Sequence, residues 1–74
     1  MASCDAFLLL DLIAARPSEL QRVVLKRGRI NHLIHIGYDR EDGRFYIEMF
    51  DGRVLYASRG QILEEFGDAR WSLA

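Results

Sequence analysis

The chain has 74 residues, half of them hydrophobic, with a formal net charge of −1 and a single cysteine. This length allows one domain, 1–74, and so short a chain hides only about 60% of the surface that its unfolded form exposes. One cysteine excludes an internal disulfide, no ligand set for a structural zinc is present, and the near-neutral charge draws the whole molecule to neither nucleic acid nor membrane.

The apolar run near the N-terminus, Ala6 to Ala15, is too short to cross a bilayer. Asp5 and Asp11 flank its most apolar part, Ala6 to Leu10, and no basic segment precedes it, which is not the pattern of a secretion signal. With Cys4 unpaired, the expected setting is a reducing cytoplasm with no membrane partner. Leucine and alanine favour helix, so a first helix is predicted at about 5–15, capped by Ser3 or Asp5. Phe7, Leu10 and Ala14 follow helical spacing on one side, and Leu8, Leu12 and Ala15 follow it on another. A helix apolar nearly all round must be covered nearly all round. Either the domain wraps it, or part of it meets a second molecule.

Pro17 ends that helix, because the residue before a proline avoids the α region. Ser18-Glu19-Leu20-Gln21 then reads as a capping box, which predicts a second helix at about 19–27 with Leu20, Val23 and Val24 inward and Gly28 as a left-handed C-cap. Val23-Val24-Leu25 taken alone would equally suit a strand. On the helix, Arg22, Lys26 and Arg29 recur as a basic ridge beside Arg27. Such a ridge is either a solvated face or a set of phosphate contacts.

A three-stranded antiparallel meander is predicted next, at about 31–38, 44–50 and 53–57. Asp42-Gly43 and Asp51-Gly52 mark two-residue hairpins, although the strongly polar Asp39-Arg40-Glu41 leaves room for a wider first loop. With those tips, Ile36 faces Met49, Tyr38 faces Ile47, Met49 faces Val54 and Ile47 faces Tyr56, which gathers these apolar side chains on one face. The other face carries Leu33, His35, Tyr46, Phe50, Leu55 and Ala57 beside Glu48 and Arg53. That is more apolar than a free sheet face should be. Ser58-Arg59-Gly60-Gln61 repeats the capping box and opens a C-terminal helix at about 59–66, with Ile62, Leu63 and Phe66 inward. In the tail, Trp71 and Leu73 dock, Trp71 either as a core plug or as a binding hot spot.

The stretch from Ile36-Gly37-Tyr38-Asp39 through Asp51-Gly52-Arg53-Val54-Leu55-Tyr56, followed by a short acidic helix, loosely resembles the KTSC domain. The similarity covers less than half of the chain. The polar signature that names that family is missing from Asp68 to Ala74, so the resemblance implies no site residues.

No catalytic constellation is evident. His32 and His35 fall on opposite faces of a strand, Cys4 has no oriented base nearby, and Asp39, Glu41 and Asp42 lack calcium-loop spacing. An enzyme is not expected, nor is a cofactor or metal. The α+β pattern, with two N-terminal helices, a meander and one C-terminal helix, points to a protein–protein interaction module. The expected form is a homodimer acting as a small regulator or inhibitor of a larger protein partner, of the kind that phages and mobile elements encode. Its expected interface is Phe7, Leu8, Leu12, Tyr46, Phe50 and Trp71. The alternative is a nucleic-acid-binding regulator that uses Arg22, Lys26, Arg27 and Arg29 on the second helix.

Overall fold

The computed structural model describes residues 2–74, with side chains from Ala6 onward, so the side chain of Cys4 lies outside the described residues. A helix α1 (Ala2–Ala14) is followed by strands β1 (Gln21–Arg27), β2 (Ile30–Asp39), β3 (Arg44–Glu48) and β4 (Val54–Ala57). A second helix α2 (Arg59–Phe66) and a last strand β5 (Arg70–Leu73) complete the chain. The class is α+β, but the predicted three strands and three helices are corrected to five strands and two helices. The sheet is antiparallel throughout, in the order β4-β3-β2-β1-β5.

Residues 21–27 are the main correction. A helix of that length is marginal in water, whereas a central strand has its backbone groups met from both sides. β1 pairs along its whole length with β2, and Val23 to Lys26 pair with β5. Val23 and Leu25 point into the core as strand alternation requires. Gly28 does adopt positive φ, at 60°, but as the first residue of a two-residue turn and not as a helix cap. Arg27 faces Ile30 across that turn, and Arg29 does not share the positive φ. This is the type II′ geometry that suits a twisted hairpin.

Both later turns are wider than two residues, as the polar Asp39-Arg40-Glu41 allowed for the first but nothing announced for the second, with different consequences. At the β2–β3 turn, Ile36 pairs with Ile47 and Tyr38 with Phe45, a slip of two residues that leaves every side chain on its predicted face. Asp39 caps this loop by accepting from the backbone N–H of Glu41 at 3.0 Å. At the β3–β4 turn, Phe50, Asp51 and Gly52 all lie in the loop: Gly52 N–H donates to the Met49 carbonyl at 3.1 Å, and Gly52 takes φ 90°. Such three-residue hairpins end in a glycine bulge. The slip here is one residue, so Ile47 meets Leu55 in place of Tyr56. Leu55 and Ala57 therefore turn inward, while Val54 and Tyr56, predicted inside, are 50% and 42% exposed.

Ser58 caps α2 through a complete capping box with Gln61. Because β4 and β5 are opposite edges of the sheet, the segment containing α2 crosses the whole sheet between them. The core is a single cluster. Val23, Leu25, Ile34, Ile36, Phe45 and Ile47 of the sheet meet Leu10 and Ile13 of α1, Ile62 of α2, and Trp71 of β5. Both helices thus cover one face of the sheet, and no polar or charged side chain is buried among the described residues.

Candidate interaction surfaces

α1 packs Ala6, Leu10 and Ile13 into the core. Its outer side still carries Phe7, Leu8 and Leu12, exposed to 55%, 65% and 37%. Leu8 and Leu12 stack at the i, i+4 spacing. Asp11, which helical geometry places between Phe7 and Leu8, does not interrupt the patch with a free charge. Its carboxylate accepts from the Arg59 guanidinium at 2.6 Å, and Arg59 in turn lies over the Phe45 ring.

The other expected interface residues are scattered. Phe50 projects from the β3–β4 turn, 87% exposed. Tyr46 lies on the sheet face away from the helices, half-buried, edge-on to Tyr56 with ring centroids 6.4 Å apart. Trp71 is in the core at 2% exposure, and its indole N–H donates to the Phe66 carbonyl at 3.0 Å. A partner cannot reach it without displacing β5, so it is removed from the interface.

The basic residues are also redistributed. A four-residue spacing keeps two positions on one face of a helix and on one face of a strand alike. Arg22 and Lys26 consequently remain together, on the helix-free face. Arg27 points to the other face, where it donates to Asp68 at 3.1 Å and to the Glu65 carbonyl, and covers the Phe66 ring. Arg29 sits in the β1–β2 turn. The strand pairing adds a residue that the sequence reading missed, since Lys26 lies directly opposite Arg70 of β5. Lys26 and Arg70 line a shallow concavity of about 510 Å³ with Arg27, Gly28 and Asp68.

Elsewhere on the helix-free face, Arg22 pairs with His35 and Val24 with Leu33. His35 Nδ1 is 3.9 Å from the Glu48 carboxylate. A wider cleft of about 740 Å³ opens over Gly37 between Leu20 and the two tyrosines, rimmed by Glu19, Asp39 and Glu41. On the helix side, a cavity of about 310 Å³ reaches Leu25, His32, Met49 and Phe66. Both guanidiniums at its edge are already bound, Arg27 to Asp68 and Arg53 to Asp51.

Asp51 holds the β3–β4 turn together. It accepts from the backbone N–H of Arg53 at 3.1 Å and from its side chain at 2.8 Å. The backbone hydrogen bond is the main reason that its carboxyl titrates below the ordinary 3.8, with the Arg53 charge adding to the effect. Among the described residues, no group of three or more metal-binding side chains comes together, and no helix is long and apolar enough to cross a membrane. No family model matches the chain, and neither a curated protein nor a solved structure matches it. The resemblance to the KTSC domain therefore gains no support.

Proposed function

We propose that the protein is a non-enzymatic protein–protein interaction module that pairs with a second copy of itself through the outer side of α1, and in that form regulates or inhibits a larger protein. The observation that carries this reading is the exposure of Phe7, Leu8 and Leu12 on a helix whose opposite side is built into the core. Together they present on the order of 300 Å² of apolar surface, the lower end of the range for the largest patch on a monomer, which is often functional. A two-fold axis across α1 sets each patch against its own copy, which is the commonest way for a soluble chain to hide such a surface. Asp11 enters this contact already neutralised by Arg59, so pairing strands no bare carboxylate.

Light scattering at micromolar concentration tests the reading. The expected mass is twice the 8.6 kDa of the chain, falling to the single-chain value when Leu8→Glu and Leu12→Glu are combined, with the far-ultraviolet circular dichroism unchanged. A parent protein that stays at the single-chain mass over the whole micromolar range overturns the self-association.

A further inference from the structure

The helix-free side of the sheet carries a charge arrangement that the fold itself does not use. Lys26 and Arg70 stand directly opposite each other on neighbouring strands. Like charges in that position oppose pairing. Arg22 lies four residues back along β1 on the same side, about 13 Å away at strand rise, and Arg29 projects from the adjoining turn. None of these four cations has an ion-pair partner among the described residues; Arg27, Arg53 and Arg59 each have one, and the other unpaired cations, Arg16, Arg40 and Arg44, do not cluster with them. Among the described residues, acidic groups lie at its margins: Asp68 beside Arg70, which is held by Arg27, Glu48 beside His35, and Glu19, Asp39 and Glu41 around the cleft at Tyr46 and Tyr56.

We propose that this face, centred on Arg22, Lys26 and Arg70, binds a single-stranded nucleic acid. The occupant is a polyanion, because three unpaired cations on two adjacent strands, with a fourth on the adjoining turn, match a row of phosphates and repel one another without it. Between and beside the cations lie flat or apolar groups at the level of the sheet: Val24 against Leu33, then His35, then Tyr46 with Tyr56. Unpaired bases stack on such surfaces, whereas a duplex keeps its bases stacked inside. The phosphate track starts at the concavity between Lys26 and Arg70 and passes Arg22. It ends before Glu48, beyond which the bases meet the tyrosines. The site is on the other side of the sheet from α1, so it neither needs nor blocks self-association.

Fluorescence anisotropy of a short labelled oligouridylate decides the matter. Its binding constant should fall with salt at a logarithmic slope of roughly −2 to −3, about −0.7 for each of three or four phosphates neutralised. Lys26→Ala and Arg70→Ala should each weaken binding on the order of fivefold or more at low salt and make the slope shallower by about 0.7. Tyr46→Ala should weaken binding without changing the slope. Arg53→Ala removes the same charge elsewhere and should leave binding within twofold. All these positions are at least partly exposed, and circular dichroism confirms that each variant is folded. The proposal is overturned by no binding at low salt, by equal loss in Arg53→Ala and Lys26→Ala, or by duplex DNA bound as tightly as the single strand. Vesicles rich in phosphatidylserine serve as the competing polyanion. If Lys26 and Arg70 are needed for vesicles and not for the oligonucleotide, the face is a membrane-docking surface and the proposal fails.

Discussion

Trp71 offers the sharpest test of the corrected topology, because it stands in the strand that the sequence did not announce. Its side chain is 2% exposed, and its indole N–H satisfies the Phe66 carbonyl at the end of α2. A buried tryptophan removes about 200 Å² from water, an upper estimate of about 5 kcal/mol at 25 cal per Å². Truncations of this kind cost about 3–5 kcal/mol in practice. A domain of this length has a total stability of roughly 4–11 kcal/mol. Trp71→Ala should therefore remove a large share of it, and at the lower bound the chain is unfolded at room temperature. Trp71→Phe keeps one aromatic ring, removes one of the two donors to the Phe66 carbonyl (the Ala69 N–H remains, at 3.1 Å) and opens a smaller void, so a loss of about 1–3 kcal/mol is expected. Urea unfolding followed by far-ultraviolet circular dichroism measures both, and does not rely on the tryptophan that has been removed. If Trp71→Ala lies within about 0.5 kcal/mol of the parent, the range of an ordinary surface change, β5 is not docked on β1. If instead the loss grows on dilution, Trp71 belongs to an interface between molecules and the burial argument is wrong.

Gly37 lies where the chain leading into β1 passes over β2: an added Cβ would sit 3.0 Å from Leu20 Cδ2 and 3.2 Å from the Glu19 carbonyl oxygen. Gly37→Ala should cost about 1–3 kcal/mol by overpacking, and Leu20→Ala in the same chain should restore only part of it, since a side chain yields and a carbonyl does not; equal urea midpoints for Gly37→Ala and parent would refute this. Asp51 contributes stability above its unfolded pKa and loses it as the pH falls through its lower folded value. A carbon-detected titration should accordingly place its midpoint below 3.8 in the parent and move it upward in Arg53→Ala, which removes the side-chain contacts but not the leading backbone one.

What could be read from the sequence was chemistry that closes within a few residues. The cap of α2 depends on Ser58 and Gln61, three apart, and both halves of the box are present. The alternation of β2 and β3 is likewise local. β1 and β5 are different, because each is partly justified by the other. Arg70-Trp71-Ser72-Leu73 is too short to declare itself, and Gln21 to Arg27 mixes good helix formers with two valines. Their pairing, Val23 with Leu73 and Leu25 with Trp71, is a long-range event that no window of sequence contains. Gly28 compounded the ambiguity, since a left-handed residue suits a helix end and a II′ turn equally. Arg70 could not be associated with Lys26 until that pairing was known.

The same logic explains why some surface assignments survived errors in structure and others did not. Side chains of a strand alternate, so an even displacement changes neighbours and an odd one changes faces. The slip of two at the β2–β3 turn left Ile36 and Ile47 in the core. The slip of one at the β3–β4 turn, forced by a single extra residue ahead of Gly52, carried Tyr56 out of the core to stand beside Tyr46. Arg22 and Lys26 are four apart and share a face whether their segment is coiled or extended. Arg27 is an odd step from both, and its move to the helix side gives Asp68 a partner and leaves Arg70 unclaimed. The basic face is thus fixed by parity along β1 and by one strand pairing with β5. A variant that slipped β5 by one residue would take Arg70 from that face and remove Trp71 from the core in the same step.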